Sequence, residues 1–405
     1  MGSRLISNGM NERPATIQFA NILLLLNFFV TLHFALGTFV NSSFLEKYVS
    51  IEYVGVVFTL AAFIALFFLT QAEKFLVAFG EYKIIVGLLA FDIVGLVGVL
   101  SFNVFSIEVN SLGLLFFFLL HYITSVYLIR FLLDVHYEEH MTDEATGFLR
   151  GELLTTANLA WILSPLIFSI LLGNEEFWKV YAVSLFVGIV ILCMLLLHFP
   201  RERRQEYNTI FFFETLKIIF GNKNLFRIFM INFLFHIFGS WIIIYLPIHL
   251  HETIGMSWET IGRLFTVMLI PYILVDIPLG YAADKWKKEK SILTAGFISV
   301  ALLTFPLAFI TTSSFFMWAV VLTLARFGLA AIELIADTYF FKHVSARDGN
   351  LISFFRGAHP LAYIIGPLLS SLLISFGVHT EYLFVILGFI MLSGIVFTIP
   401  LRDTF

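Results

Sequence analysis

Charge is what this 405-residue sequence has least of. Only 13% of its residues are Asp, Glu, Lys or Arg, about half the share of a typical soluble domain. With 60% hydrophobic and 17% aromatic residues, a water-soluble fold has too little interior to hide the apolar surface, whereas a bilayer accepts it directly. Cysteine is nearly missing: Cys193 stands alone inside an apolar run, which excludes an intrachain disulfide framework and a thiolate metal site. The net charge of −4 is spread in short clusters, so no nucleic-acid partner is expected. There is no G-x-x-x-x-G-K-[ST] loop, which excludes ATP machinery of that kind, and no cofactor is implied. The first twenty residues lack a cleavable signal-peptide layout, because the apolar run that follows is too long.

What is present is a succession of apolar runs of about 20 residues, the length a helix needs to cross the hydrocarbon layer. They lie near 17–40, 52–71, 82–101, 111–135, 147–173 and 178–199, then near 225–250, 258–282, 291–311, 314–341, 350–376 and 381–400. Twelve spans are predicted, with no loop long enough to hold a soluble domain. Basic residues are distributed unevenly between the two sides. With the N-terminus inside, nineteen of the 24 Lys and Arg fall on the cytoplasmic side. Lys47, Lys179 and Arg263 fall outside, and Arg130 and Arg326 within spans. The positive-inside rule therefore expects a multi-pass protein of the cell inner (cytoplasmic) membrane with both termini cytoplasmic. The polar stretch after the sixth run contains FFFETLKIIFGNK (211–223), which reads as an amphipathic segment at the interface.

The sequence also repeats itself. FLRGELLTTANLAW (148–161) aligns with FFRGAHPLAYIIGP (354–367) at an offset of 206, and AFGEYKIIVGLL (78–89) with KWKKEKSILTAG (285–296) at 207. Each match is weak alone, but the two offsets agree and each is about half the chain. The expected organisation is a six-helix bundle at 1–199, a cytoplasmic linker at 200–222, and a second six-helix bundle at 223–405. Parallel six-helix repeats of this kind are a recurring transporter plan, with the substrate site between the halves.

The most specific local signal joins the eighth and ninth spans: Gly280-Tyr-Ala-Ala-Asp284-Lys285-Trp-Lys287-Lys288. It resembles the G-x-x-x-D-[RK]-x-[GKR]-[RK]-[RK] signature of the major facilitator superfamily. The resemblance implies an all-α membrane fold of twelve transmembrane helices in two pseudo-symmetric bundles, working as a secondary transporter. In the first half the signature is eroded, with Val77 in place of the acid. In the superfamily this acid commonly pairs across the halves with residues such as the Arg-Gly pairs at 150–151 and 356–357. The resemblance thus implies an Asp284–Arg150 latch, with Gly280 letting helices approach. Arg356 would be left with Glu73, Glu81 or nothing, making the two gates unequal. The helix-five glycine pattern of antiporters is poor, its remnants being Ser164-Pro165 and Gly366-Pro367.

Ionisable groups within spans are functional candidates by default. Arg326, Glu333 and Asp337 in the tenth span share one helix face, because offsets of seven and eleven residues return to nearly the same direction. Arg326 is a candidate for binding a substrate anion, and Glu333, Asp337 and Asp276 for carrying a coupling proton; a structural ion pair is the competing reading. Asp92 ranks below these, since third helices are peripheral in the family. Uncharged candidates for the substrate site are Asn27, Thr31 and His33 on the first span, His121 on the fourth, Asn158 on the fifth, Asn232 and His236 on the seventh, and His359 and Tyr363 on the eleventh. The competing reading for each histidine is a satisfied contact between helices. Their spacing along the chain suggests no metal site.

The function expected is secondary transport of a small molecule by alternating access, proton-coupled, with drug or metabolite efflux favoured and no enzymatic activity. The alternatives are a small-metabolite or lipid-related proton symporter, or a non-transporting receptor on the same scaffold. The expected partners are a small-molecule substrate, protons or another coupling ion, and the lipid bilayer, with the chain acting as a monomer.

Overall fold

The computed structural model describes residues 13–104, 111–140, 146–173, 175–198, 220–286, 288–344 and 349–402. For 127–140, 146–154, most of 275–286 and some further positions the description covers the backbone alone. The main helices are α1 (Arg13–Thr38), α2 (Ile51–Thr70), α3 (Glu81–Val104), α4 (Ser111–His140), α5 (Thr146–Leu172) and α6 (Phe177–His198), followed by α7 (Lys223–Ile248), α8 (Trp258–Trp286), α9 (Glu289–Thr304), α10 (Phe315–His343), α11 (Ala358–Ser375) and α12 (Tyr382–Ser393). Among the described residues, nine helices are long and apolar enough to cross a membrane, with shorter apolar stretches at Leu112–Val126 and Tyr382–Thr398. These helices fit the twelve predicted runs. Three runs are less continuous than expected: the ninth ends in a 3-10 turn at Phe305–Ala308, the eleventh is preceded by a separate helix at Gly349–Arg356, and the twelfth breaks before Ile395–Thr398.

The helix pairings of the first half recur in the second. α1 packs on α4, α5 and α6, and α7 on α10, α11 and α12. α3 packs on α4 and α6 as α9 packs on α10 and α12, and α2 meets α4 as α8 meets α10. The halves meet along two seams, α2 with α11 and α5 with α8. Lipid is as apolar as these side chains, so close packing and interhelical hydrogen bonds drive association.

Both seams are tight for the same local reason. A Cβ built on Gly55 of α2 would lie 2.4 Å from the Pro367 carbonyl of α11, and one on Gly262 of α8 would lie 2.4 Å from the Pro165 carbonyl of α5. One turn further, Thr59 Oγ1 donates to the Ile364 carbonyl at 3.1 Å and Thr266 Oγ1 to the Ile162 carbonyl at 3.4 Å. Gly55 and Gly262 stand 207 residues apart, as do Thr59 and Thr266. Their partners stand 202 apart. A short buried helix, Asn41–Glu46, adds a further contact between the halves by packing on α7. The predicted linker segment up to residue 219 lies outside the described residues.

Candidate functional site

Both seams lie toward the end of the bundle that carries Lys47, Lys179 and Arg263 and few other bases. Toward the opposite, base-rich end a small cavity of about 40 Å³ lies between α2, α4 and α11, lined by Ala61, Ala62, Tyr122, His359, Pro360 and Tyr363 among others. Its walls are mostly apolar and aromatic, with one imidazole and two phenols as polar groups.

The two helical pairs singled out on α7 and α11 come together at this wall. The His236 and His359 rings lie 4.9 Å apart, and His359 stacks on Tyr363 at 4.6 Å. Asn232 Nδ2 donates to the Phe355 carbonyl at 3.2 Å, tying α7 to the approach to α11. Arg326 is buried on α10. Its Nη1 donates to the Tyr272 hydroxyl of α8 at 3.2 Å, and its guanidinium lies 5.7 Å from that ring. Farther along α10, Glu333 is partly buried and Asp337 is exposed. Asn27 of α1 donates to Thr156 Oγ1 of α5 at 2.7 Å. Thr31 is buried with its hydroxyl making no hydrogen bond among the described residues, and Asn158 is partly buried on α5. Arg356 is exposed. The side chains of Asp276, Gly280, Asp284 and Arg150 lie outside the described residues, as do those of Glu73 and Glu81. Tyr122 and Tyr272 are absent from the sequence-based candidates; a tyrosine beside His121 and another beside the helix-interior Pro271 are the available signals.

His33 and His121 point away from the cavity. Both meet Asp92 of α3, which is fully buried. His33 Nε2 lies 2.8 Å from Asp92 Oδ2, and His121 Nδ1 lies 2.8 Å from Oδ1. Thr124 Oγ1 lies 3.2 Å from Oδ1 and 2.6 Å from the Leu120 carbonyl. His33 Nδ1 donates to the Ser184 carbonyl of α6 at 2.9 Å. The glycine at 95, one turn beyond Asp92, makes this possible. A Cβ there would meet the His121 backbone nitrogen at 2.6 Å, so only a glycine lets α4 come so near α3. Sequence reasoning ranks Asp92 behind the other acids; the structure puts it at the centre of a three-helix cluster.

These are the one group of three ligand-bearing side chains among the described residues whose donor atoms fall within 4.8 Å of one another. A tetrahedral metal with ligands at about 2.0–2.1 Å holds them about 3.3 Å apart. The observed 2.8 Å separations are hydrogen-bond lengths, and a proton fits between these atoms where a metal does not.

At the base-poor end, three loops share one ionic contact across the halves. Glu175, between α5 and α6, accepts from Lys47 at 2.7 Å and from His251 Nε2, beyond α7, at 3.0 Å. Hydrogen bonds from Lys47 and then His251 hold the Glu175 carboxyl below its usual range. Glu175 takes a left-handed backbone, φ 63°, uncommon for a residue with a Cβ. Nearby, burial and then the charge of Glu252 push the Glu46 carboxyl up to about 7, with His251 opposing.

The Major Facilitator Superfamily model matches residues 228–404. No curated protein sequence matches the chain. Among solved structures, a point mutant of the nucleoside transporter NupG superposes with a TM-score of 0.75 at 12% identity, covering 94% of this chain and 99% of its own. The POT family transporter PepTSo gives 0.72 at 13%, covering 94% and 97%. A bacterial homologue of the human lysosomal transporter Spinster, inward-facing and unoccupied, gives 0.65 at 13%, covering 96% and 95%. The family match lies within the C-terminal part of the chain, and the fold of these solved transporters is shared along nearly its whole length.

Proposed function

We propose that this protein carries a small molecule across the membrane by alternating access, driven by a proton gradient, and that the conformation described is closed outside and open toward the cytoplasm. The observation that supports this reading most is the contrast between the two ends. Repeat-related seams and an ionic contact close the base-poor end, while a cavity lies between α2, α4 and α11 toward the base-rich end. The positive-inside rule makes the base-rich end cytoplasmic.

The lining favours a ring-bearing, largely apolar substrate that stacks on Tyr122, Tyr363 and His359, which fits efflux of a drug-like molecule or metabolite. Arg326 on Tyr272 would recognise an electron-rich or anionic edge. Glu333, Asp337 and Asp276 are the acids offered to a coupling proton on this side, and Asp284 with Arg150 would close the cytoplasmic end in the opposite state. A second reading, uptake of a nucleoside or a peptide, is favoured by the likeness to NupG and PepTSo.

The purified protein in liposomes under an imposed pH gradient, offered radiolabelled uridine, a dipeptide and the lipophilic cation ethidium in turn, tests both readings. Gradient-dependent accumulation of ethidium supports efflux, and accumulation of the nucleoside or peptide supports the second reading. Flux of none of the three, with ligand-induced stabilisation intact, points to a receptor and sinks the transport reading. For the gate, exchanging the charges of Asp284 and Arg150 should restore the flux that either single neutralisation impairs.

A further inference from the structure

We infer that His33, Asp92 and His121 form a binding site for one exchangeable proton, and that its occupancy sets the packing of α1 and α4 on α3, α4 being the helix that also lines the cavity. The inference extends the proton-coupled reading above and supplies a proton site in the N-terminal half, separate from the acids of α8 and α10.

Hydrogen-bond accounting carries it. The Ser184 carbonyl, 2.9 Å from His33 Nδ1, can only accept, and the Ser184 hydroxyl, 3.0 Å from the same nitrogen, has the His33 carbonyl at 3.3 Å to receive its own hydrogen. With the hydroxyl so directed, His33 Nδ1 holds a hydrogen. If His33 were neutral, its Nε2 would then present a lone pair to Asp92 Oδ2, 2.8 Å away. An ionised carboxylate also presents only lone pairs, so the contact needs one more proton. That proton sits on His33, giving an imidazolium–carboxylate pair, or on Asp92, giving a neutral acid facing a neutral imidazole; in both forms its count is the same. His121 completes the site by donating from Nδ1 to the other carboxylate oxygen. With one proton in place the cluster is neutral overall, the condition a fully buried site in a lipid-embedded bundle requires. Removing it leaves an uncompensated buried carboxylate and two opposed lone pairs, which drives α1 and α3 apart.

The surroundings isolate the cluster. The charges acting on Asp92 are those of His33 and His121. Among the described residues, the other titratable group facing it from the packed helices is Tyr181 of α6, whose ring lies 6.1 Å from that of His121 and whose hydroxyl donates to Asn41 at 2.9 Å. One helix leads from the cluster to the cavity. On α4 the residue after His121 is Tyr122, a cavity wall. On α1 the opposite face from His33 carries Asn27, bonded to Thr156 of α5.

The test uses the whole protein in lipid nanodiscs. Nitrogen-15 histidine spectra, with His33 assigned through His33→Gln, should show His33 bearing hydrogen on both nitrogens or bonded to a protonated Asp92 at neutral pH, and losing that proton as pH is raised. A fluorine label at Ile123→Cys in a Cys193→Ser background reports on α4 beside the cavity. Its shift should titrate together with His33, lose that transition in Asp92→Asn, and keep it in Asp92→Glu. His33 nitrogen signals that stay unchanged at every pH, or a label transition that survives Asp92→Asn, overturn the inference. So does added zinc that shifts His33 and His121 together, which would make the cluster a metal site. If Asp92→Asn does not fold, the wild-type histidine titration still decides. Absent flux in liposomes would end the transport reading without altering these spectra, and a silent cluster would end this inference with flux intact.

Discussion

Gly55 of α2 stands so close to the Pro367 carbonyl of α11 that a methyl group added to it would fall 2.4 Å from the oxygen. That neighbour is backbone and cannot swing aside, so α2 and α11 must separate to admit a side chain. Gly55→Ala should therefore lower the stability of the purified protein by about 1–3 kcal/mol, the usual range for overpacking, read as a lower unfolding temperature. Spin labels at Ser50 and Ser257, on the base-poor loops, should move apart in the same variant. Gly262→Ala should do the same through α5. If either alanine leaves both readouts unchanged, the seams are looser than described.

The threonines one turn along the seams predict a smaller effect. Hydrogen bonds between membrane helices contribute about 0.6 kcal/mol on average. Thr59→Val and Thr266→Val should each reduce stability by about that amount, and the double variant by roughly their sum, since the seams share no partner.

Glu46 predicts a pH dependence of defined sign. Its carboxyl is pushed from 4.5 up to about 7 by burial and by Glu252. Between these values the folded protein holds a proton that the unfolded chain has released, so stability from this group falls as pH rises through the window and is level above it. Glu46→Gln should flatten the slope of unfolding temperature between pH 5 and pH 7.5. It should also make the variant more stable than the parent at the upper end. A parent slope of the opposite sign would refute the assignment.

Glu175 has the opposite sign. Its carboxyl is held below 4.5 by Lys47 and His251, so its contribution is present above about pH 4.5 and is lost as pH falls beneath it. Glu175 and Lys47 are each about two-fifths exposed, and exposed pairs contribute about 0–1 kcal/mol. Glu175→Gln should scarcely change the unfolding temperature at pH 7 while broadening the distance distribution between labels at Ser50 and Ser257.

Tyr122 and Tyr363 line opposite walls of the cavity. Tyr122→Ala and Tyr363→Ala should each weaken any ligand that stabilises the parent, while Phe at either position should preserve most of the effect if stacking rather than the hydroxyl holds it. Ligand-induced thermal shift measures both.

Much of the fold could be read because its cause is local. Scarce charge and runs of about 20 apolar residues dictate helices in a bilayer whatever their neighbours, and the repeat offset anticipated paired bundles. The pairs Asn232/His236 and His359/Tyr363 were legible for the same reason: spacing of four residues fixes a common face. The Asp92 cluster was not, because its members lie 59 and 29 residues apart on three helices, and chain spacing says nothing about which helices meet. Family expectation made the third helix peripheral and so pointed away from it. The seams were half legible. Gly55 with Thr59 and Gly262 with Thr266 obey the repeat offset found at the base-rich loops, but two small residues in twenty are too faint a match to notice until the packing shows why they recur.

The seams have a consequence for how such a chain is put together. Each half contributes one projecting element, Gly55–Thr59 or Gly262–Thr266, and one receiving element, around Pro165 or Pro367. A half is therefore complementary to itself as well as to its partner, as in an isologous two-fold contact. Two copies of residues 1–199 have the parts needed to close as a homodimer through these elements, and the covalent link between the halves then serves to ensure that unlike halves meet.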